Sequence, residues 1–273
     1  MKYLLLIISV TYFVLPANAQ ANVKVFAEKE NGTTVLYAQN NEFCPVSIEL
    51  TLEMDNMDVN GYGNGLFVVP EYAQRYKLVE FSGLRPRRRT TYSYNYRVVF
   101  GNVNQKIYDS SFRYDLPYSK NTRYKVEQGY NGRFTHQQEN SIDFNMPIGA
   151  TVRAARGGVV IAVVQQFSGA CLREDCKEMA NYILIYHSDG TIADYSHLSY
   201  NGALVAVGDS VNKGESIALS GNTGYTRGPH LHFSCFLPGF GKRRTLRTLF
   251  KIGNGSSAVM LQENKIYRKG YGR

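Results

Sequence analysis

In Gly228-Pro229-His230-Leu231-His232-Phe233, a turn dipeptide is followed by polar and apolar side chains that alternate with the period of a β-strand. Residues two apart in a strand share a face, so His230 and His232 project together while Leu231 and Phe233 face a core. Two imidazoles side by side have a purpose in a shared metal site. A solvent-facing pair is the plainer alternative, and the rest of the chain decides between them.

The strand texture extends outward from this stretch. Ile142-Asp143-Phe144 precedes a turn at Pro147-Ile148-Gly149, and strand patterns follow at 151–155 and 158–165. An apolar strand at 181–187 ends in Ser188-Asp189-Gly190, and 191–196 completes that hairpin. Short strands are expected again at 210–212, 216–220 and 230–236. Helices have little room, and an antiparallel, partly closed sheet is the natural architecture. Further upstream, Asn31-Gly32 lies between two apolar runs, a strong hairpin signal. Val46, Ile48, Leu50 and Leu52 alternate with Ser47, Glu49 and Thr51, the pattern of a half-buried antiparallel strand. Residues 75–81 and 90–100 read alike, with Tyr92, Tyr94 and Tyr96 on one face. Several strands at this spacing predict a small β-sandwich with no catalytic constellation in it.

The fold class is therefore all-β, in two domains. Residues 20–112 form the N-terminal β-domain, and 113–273 form the domain that carries the histidines. Residues 113–135 read as a connector, with turn signals at Leu116-Pro117 and Asn131-Gly132. The tail from Lys242 carries apolar residues as far as Tyr267 and is expected to pack on the second domain, with its last few residues loose.

The chain has 273 residues, 44% of them hydrophobic, which suits two domains with buried cores. Lys2, the apolar run from Tyr3 to Val14 and the small-residue site Ala17-Asn18-Ala19 read as a signal peptide spanning 1–19. The run is short for a membrane span, so no stable membrane anchor is expected after cleavage. Export leads to the periplasm or the extracellular space, where disulfides persist. Cys171 and Cys176 flank a polar insert and are expected to staple a loop, while Cys44 and Cys235 pair or stay buried as small hydrophobes. The formal net charge of +9 draws an exported protein to polyanions such as wall polymers or anionic lipid surfaces. No nucleic-acid motif accompanies it. Arg85-Pro86-Arg87-Arg88-Arg89, the one dense charge run, reads as a solvated loop, with a salt-sensitive anionic contact as the sharper alternative.

The chain has five histidines: His136, His187, His197, His230 and His232. Asp143 lies inside an apolar strand, where a carboxylate needs a partner or a metal. His136 precedes it, and His197 ends a hairpin strand in Tyr195-Ser196-His197-Leu198. One carboxylate with two imidazoles is a ligand set for catalytic zinc that leaves a position open for water. His187 opens a turn beside Asp189 and reads as a surface or hairpin residue.

Taken in order, these elements resemble the lysostaphin/LytM-type zinc endopeptidases. Asp143-Phe144-Asn145-Met146-Pro147-Ile148-Gly149-Ala150-Thr151-Val152 matches one family element, and Ala154-Ala155-Arg156-Gly157-Gly158-Val159-Val160 the next. His187 to Thr191, Tyr195 to Leu198, Gly208 to Gly214, Ser220 to Gly224 and Gly228 to Phe233 follow. The match runs from about residue 124 to 237. The resemblance implies that His136, Asp143 and His232 bind one zinc ion. It also implies that His197 and His230 orient or deprotonate water and stabilise the developing oxyanion. Gly221-Asn222-Thr223-Gly224 and Gly228 would shape the groove. The compact family form has His-x-x-x-Asp, whereas six residues separate His136 from Asp143, so Glu139 is the alternative to His136.

The implied function is a zinc-dependent endopeptidase that hydrolyses peptide cross-links in bacterial peptidoglycan. Two alternatives remain at this stage: a catalytically inactive LytM-like regulator of other wall hydrolases, and a secreted protease acting on proteins.

Overall fold

The computed structural model describes residues 21–84, 88–241 and 243–272. The signal segment 1–19 and the first three residues of the arginine run, 85–87, lie outside the described residues. The chain is nearly all β, with a single short 3-10 helix, Glu174–Met179, among the described residues. No described helix is long and apolar enough to cross a membrane. The chain divides into two compact units, one ending at Phe100 and the other beginning at Gly101.

The first unit is two antiparallel sheets over one core. One sheet joins Val23–Glu30, Thr33–Asn40, Tyr76–Gly83 and Met57–Asn60 in that order. The other places Val46–Asp55 between Leu66–Val69 and Thr91–Phe100. The hairpin turns at Asn31-Gly32, both at positive φ, as the sequence pattern predicts. Val25, Leu36, Val79 and Phe81 from one sheet meet Val46, Ile48, Leu50 and Val69 from the other in a shared apolar cluster. Tyr92, Tyr94 and Tyr96 pack on its edge from alternate positions of one strand.

The second unit is built on a nine-stranded antiparallel sheet. Its middle runs Gly158–Val164, Tyr182–Tyr186, Ile192–Ser196, Leu231–Leu237, Ser141–Phe144 and Arg123–Gln128. The core beneath it gathers Tyr114, Phe144, Ile185, Tyr195, Phe233 and Phe250. The hairpin at 187–191 is set by Asp189, whose Oδ1 accepts from the Thr191 amide at 3.2 Å and the Thr191 hydroxyl at 2.7 Å. Gly190 supplies the positive φ of 81°.

Two expectations need correction here. The region 113–135 is not only a connector, because Arg123–Gln128 is a strand of the main sheet. Its Tyr124, Val126 and Gln128 turn inward while Arg123, Lys125 and Glu127 face water. The described part of the tail, as far as Tyr271, is also not loose. Ile266–Arg268 pairs with Arg123–Gln128. Lys269 is buried and donates from Nζ to the Leu116 carbonyl at 2.9 Å. The Tyr271 hydroxyl donates to the Lys251 carbonyl at 2.7 Å and accepts from the Leu116 amide at 3.0 Å.

Candidate metal centre

Strand register assembles the site. Asp143 lies directly opposite His232 in one pair, and His232 lies opposite Ser196 in the next. Directly opposed residues share a face, so Asp143 and His232 meet. The chain then turns at His197, which sits at φ +64°. A β-strand cannot continue through that conformation, and the turn sends Leu198–Ala203 into a different sheet. Left-handed backbone is uncommon for a residue other than glycine and marks an over-determined position. Here the determinant is the His197 Nδ1–H, donated to the Thr223 carbonyl at 2.6 Å.

Three ligand atoms converge. Asp143 Oδ1 lies 2.9 Å from His232 Nδ1 and 3.2 Å from His136 Nε2, and the two nitrogens are 3.3 Å apart. Tetrahedral coordination with metal–ligand bonds of about 2.0–2.1 Å needs ligand atoms roughly 3.4 Å apart. The triangle therefore fits a small metal ion with nitrogen and oxygen ligands, and the three side chains form a group able to hold one. His136 donates from Nδ1 to the Gly129 carbonyl at 3.1 Å, which points Nε2 at Asp143 Oδ1, where a metal would take the place of its proton. The centre is largely buried, with His136 1% and Asp143 7% exposed. Burial raises the Asp143 carboxyl, but the hydrogen bonds from His136 and His232 outweigh it and hold the group well below the usual carboxylate range. The aspartate is thus ionised, as a ligand must be.

His197 and His230 flank the triangle. Their ring centroids are 4.5 Å apart, and His197 is 6.0 Å from His232. His230 donates from Nδ1 to the Gly228 carbonyl at 2.9 Å and turns Nε2 to within 3.7 Å of Asp143. Burial, reinforced by His230 and His232, pushes the His197 imidazole down to about 3. His197 is therefore neutral at neutral pH, with its Nε2 lone pair free to accept a proton. All five residues line one open groove of about 790 Å³. Glu139 lies on the same wall, outside the ligand triangle.

Gln128 is the functional residue that the sequence reading missed. Its Nε2 donates to Asp143 Oδ2 at 3.0 Å and to Thr135 Oγ1 at 2.7 Å. Its Oε1 accepts from the Phe134 amide at 2.9 Å and the Thr135 amide at 3.1 Å. One side chain thereby orients the aspartate and braces the loop that delivers His136 across the longer His-to-Asp interval. The alternation in Arg123-Tyr124-Lys125-Val126-Glu127-Gln128 was the available signal. Two other positions behave differently. His187 is buried rather than at the surface, donating from Nδ1 to the Gly157 carbonyl at 2.9 Å, well apart from the ligand group. Gly224 has φ +84°, and a side chain there would meet Ala180 at 2.7 Å, so the groove wall requires glycine.

Residues 137–239 match the model of peptidase family M23. The likeness to that family is confined to this part of the chain. Relatives of the chain include the peptidoglycan DD-endopeptidase ShyA of Vibrio cholerae, 31% identical over 145 residues, which are 51% of this chain and 31% of that protein. The glycyl-glycine endopeptidase ALE-1 of Staphylococcus capitis is 32% identical over 132 residues, 46% of this chain and 33% of that protein. The solved structure of the antimicrobial peptidase lysostaphin from Staphylococcus simulans is 32% identical, with a TM-score of 0.36, covering 45% of this chain and 47% of that one. The chain spans about a third of the length of the curated relatives it matches.

Proposed function

We propose that this protein is an exported, zinc-dependent endopeptidase that hydrolyses peptide cross-links in bacterial peptidoglycan, in the periplasm or outside the cell. The observation that carries the reading is the meeting of His136 Nε2, Asp143 Oδ1 and His232 Nδ1 on the wall of an open groove, with two further imidazoles beside them. The M23 match and the wall-directed names of the relatives support the substrate class. Residues 20–112 and 113–273 are proposed as the N-terminal and catalytic domains.

His136, Asp143 and His232 would hold the zinc. Zinc in such a site supplies Lewis acidity, polarising the scissile carbonyl and acidifying water. The protein's own groups manage the protons. His197, neutral and anchored through Nδ1, takes a proton from the attacking water at Nε2. His230 is held by Gly228 with Nε2 toward the same space, where it stabilises the oxygen on which charge develops. The carbon–nitrogen bond breaks as the proton taken from water passes to the departing amine.

The test combines metal analysis with turnover of a purified cross-linked muropeptide. One zinc per chain is expected for the unaltered protein and for His197→Ala, with turnover in the unaltered protein alone. His232→Ala is expected to lose both zinc and turnover. Full turnover by His232→Ala would overturn the assignment.

A further inference from the structure

The groove has a second chemical feature beside the metal ligands. Arg227 lies against the ring of Phe134, its guanidinium carbon 3.4 Å from the ring centroid. Phe134 in turn stacks on Tyr225, with centroids 5.8 Å apart and planes at 23°. All three line the groove that holds His136, His197, His230 and His232. The stack occupies the flat face of the guanidinium and leaves its in-plane N–H groups open to the groove.

Those N–H groups have no carboxylate partner among the described residues. The acidic side chains nearby are mostly engaged. Asp194 pairs with Arg243 at 2.7 Å, Glu263 accepts from the Gly129 amide at 3.2 Å, and Glu127 accepts from the Asn145 side-chain amide. Glu139 is the remaining carboxylate on the lining. Lys177, which lies over the Tyr225 ring at 5.7 Å, is paired with Glu174 at 2.7 Å. Among the described residues, Arg227 is thus a stacked cation on the groove wall with no ion pair.

The backbone around it is also held. Thr226 Oγ1 accepts from the Gly228 amide at 3.1 Å and donates to the Gly228 carbonyl at 2.7 Å, which stiffens the segment between Arg227 and His230. On the other side, the Phe134 amide is held by Gln128, the same side chain that holds Asp143. The cation and the ligand triangle therefore share a brace, and their separation is set by the fold.

We infer that Arg227, seated on Phe134 and Tyr225, is a specificity-determining subsite that binds a free carboxylate of the substrate peptide. A planar fork with open N–H groups suits a carboxylate in two-point contact. The inference rests on the proposed endopeptidase reading and narrows it: the preferred substrate is an acidic stem peptide, not an uncharged bridge or an amidated stem.

The experiment compares rates on one cross-linked stem peptide with its carboxylates free and with the same carboxylates amidated. The intact protein is expected to prefer the free form by about tenfold, in the range of one charge-assisted hydrogen bond. Arg227→Gln is expected to bring the ratio near one, and Arg227→Lys to restore part of it. The readout is a ratio, so a general loss of activity or fold cancels. Equal rates with the intact protein, or an unchanged preference in Arg227→Gln, would overturn the subsite. Cleavage of neither form would overturn the endopeptidase reading, and the subsite with it.

Discussion

Gln128 shows how much of the centre depends on a neutral side chain. It meets the aspartate, a threonine hydroxyl and two backbone amides within hydrogen-bonding distance. Such partners orient ligands, and their removal typically weakens metal affinity about 10–100-fold. Gln128→Ala is therefore expected to lower zinc affinity by that order, read by competition with a chromophoric chelator. Unchanged affinity would mean that the loop carrying His136 holds itself. His187 makes a different residue-scale prediction. Burial lowers its imidazole from 6.5 to about 4, so the folded protein keeps it neutral while the unfolded chain takes up a proton. Stability linked to this group is full above pH 6.5, falls as pH drops through the window and levels off below pH 4. The ceiling is about 3 kcal/mol. His187→Gln should flatten this acid limb in urea midpoints measured from pH 7 to pH 4. Equal slopes for the two proteins would contradict it.

At the scale of elements, strand period was the legible quantity. It placed the His-x-His strand, the 187–191 hairpin and the alternating strand from Val46, because burial on one face imposes alternation directly on the sequence. The group of His136, Asp143 and His232, implied by the family resemblance, is brought together in the structure. Gln128 was not legible, because a buried glutamine on a short strand looks like an ordinary polar residue until its partner across the sheet is known. The tail packs on the second domain as expected, but its last residues were misread for a related reason: Lys269 and Tyr271 look solvated in sequence, yet they satisfy backbone groups more than a hundred residues away. The disulfide between Cys171 and Cys176 was legible from their close spacing together with the signs of export. It closes a loop whose first strand, Ala170–Cys171, pairs with Gly224–Tyr225, one layer of the wall under Arg227. Replacing both cysteines by serine is expected to cost about 2 kcal/mol of stability from the short closed loop. It should also reduce the preference for carboxylate-bearing peptide. A change in stability with the preference intact would detach the loop from substrate choice.

At the scale of the whole molecule, two separate cores underlie the two units, and the five site residues all belong to the second. Under the proposed function, this second unit cuts wall peptide through a metal held by His136, Asp143 and His232. The most direct measurement is digestion of purified sacculi by the mature protein, untreated, chelated, and chelated then resupplied with zinc. Mass spectrometry of the released fragments reads the outcome. The account predicts new amine and carboxyl ends within the cross-links, absent after chelation and restored by zinc. Sacculi left intact by protein carrying one zinc per chain, or cleavage indifferent to chelation, would contradict it.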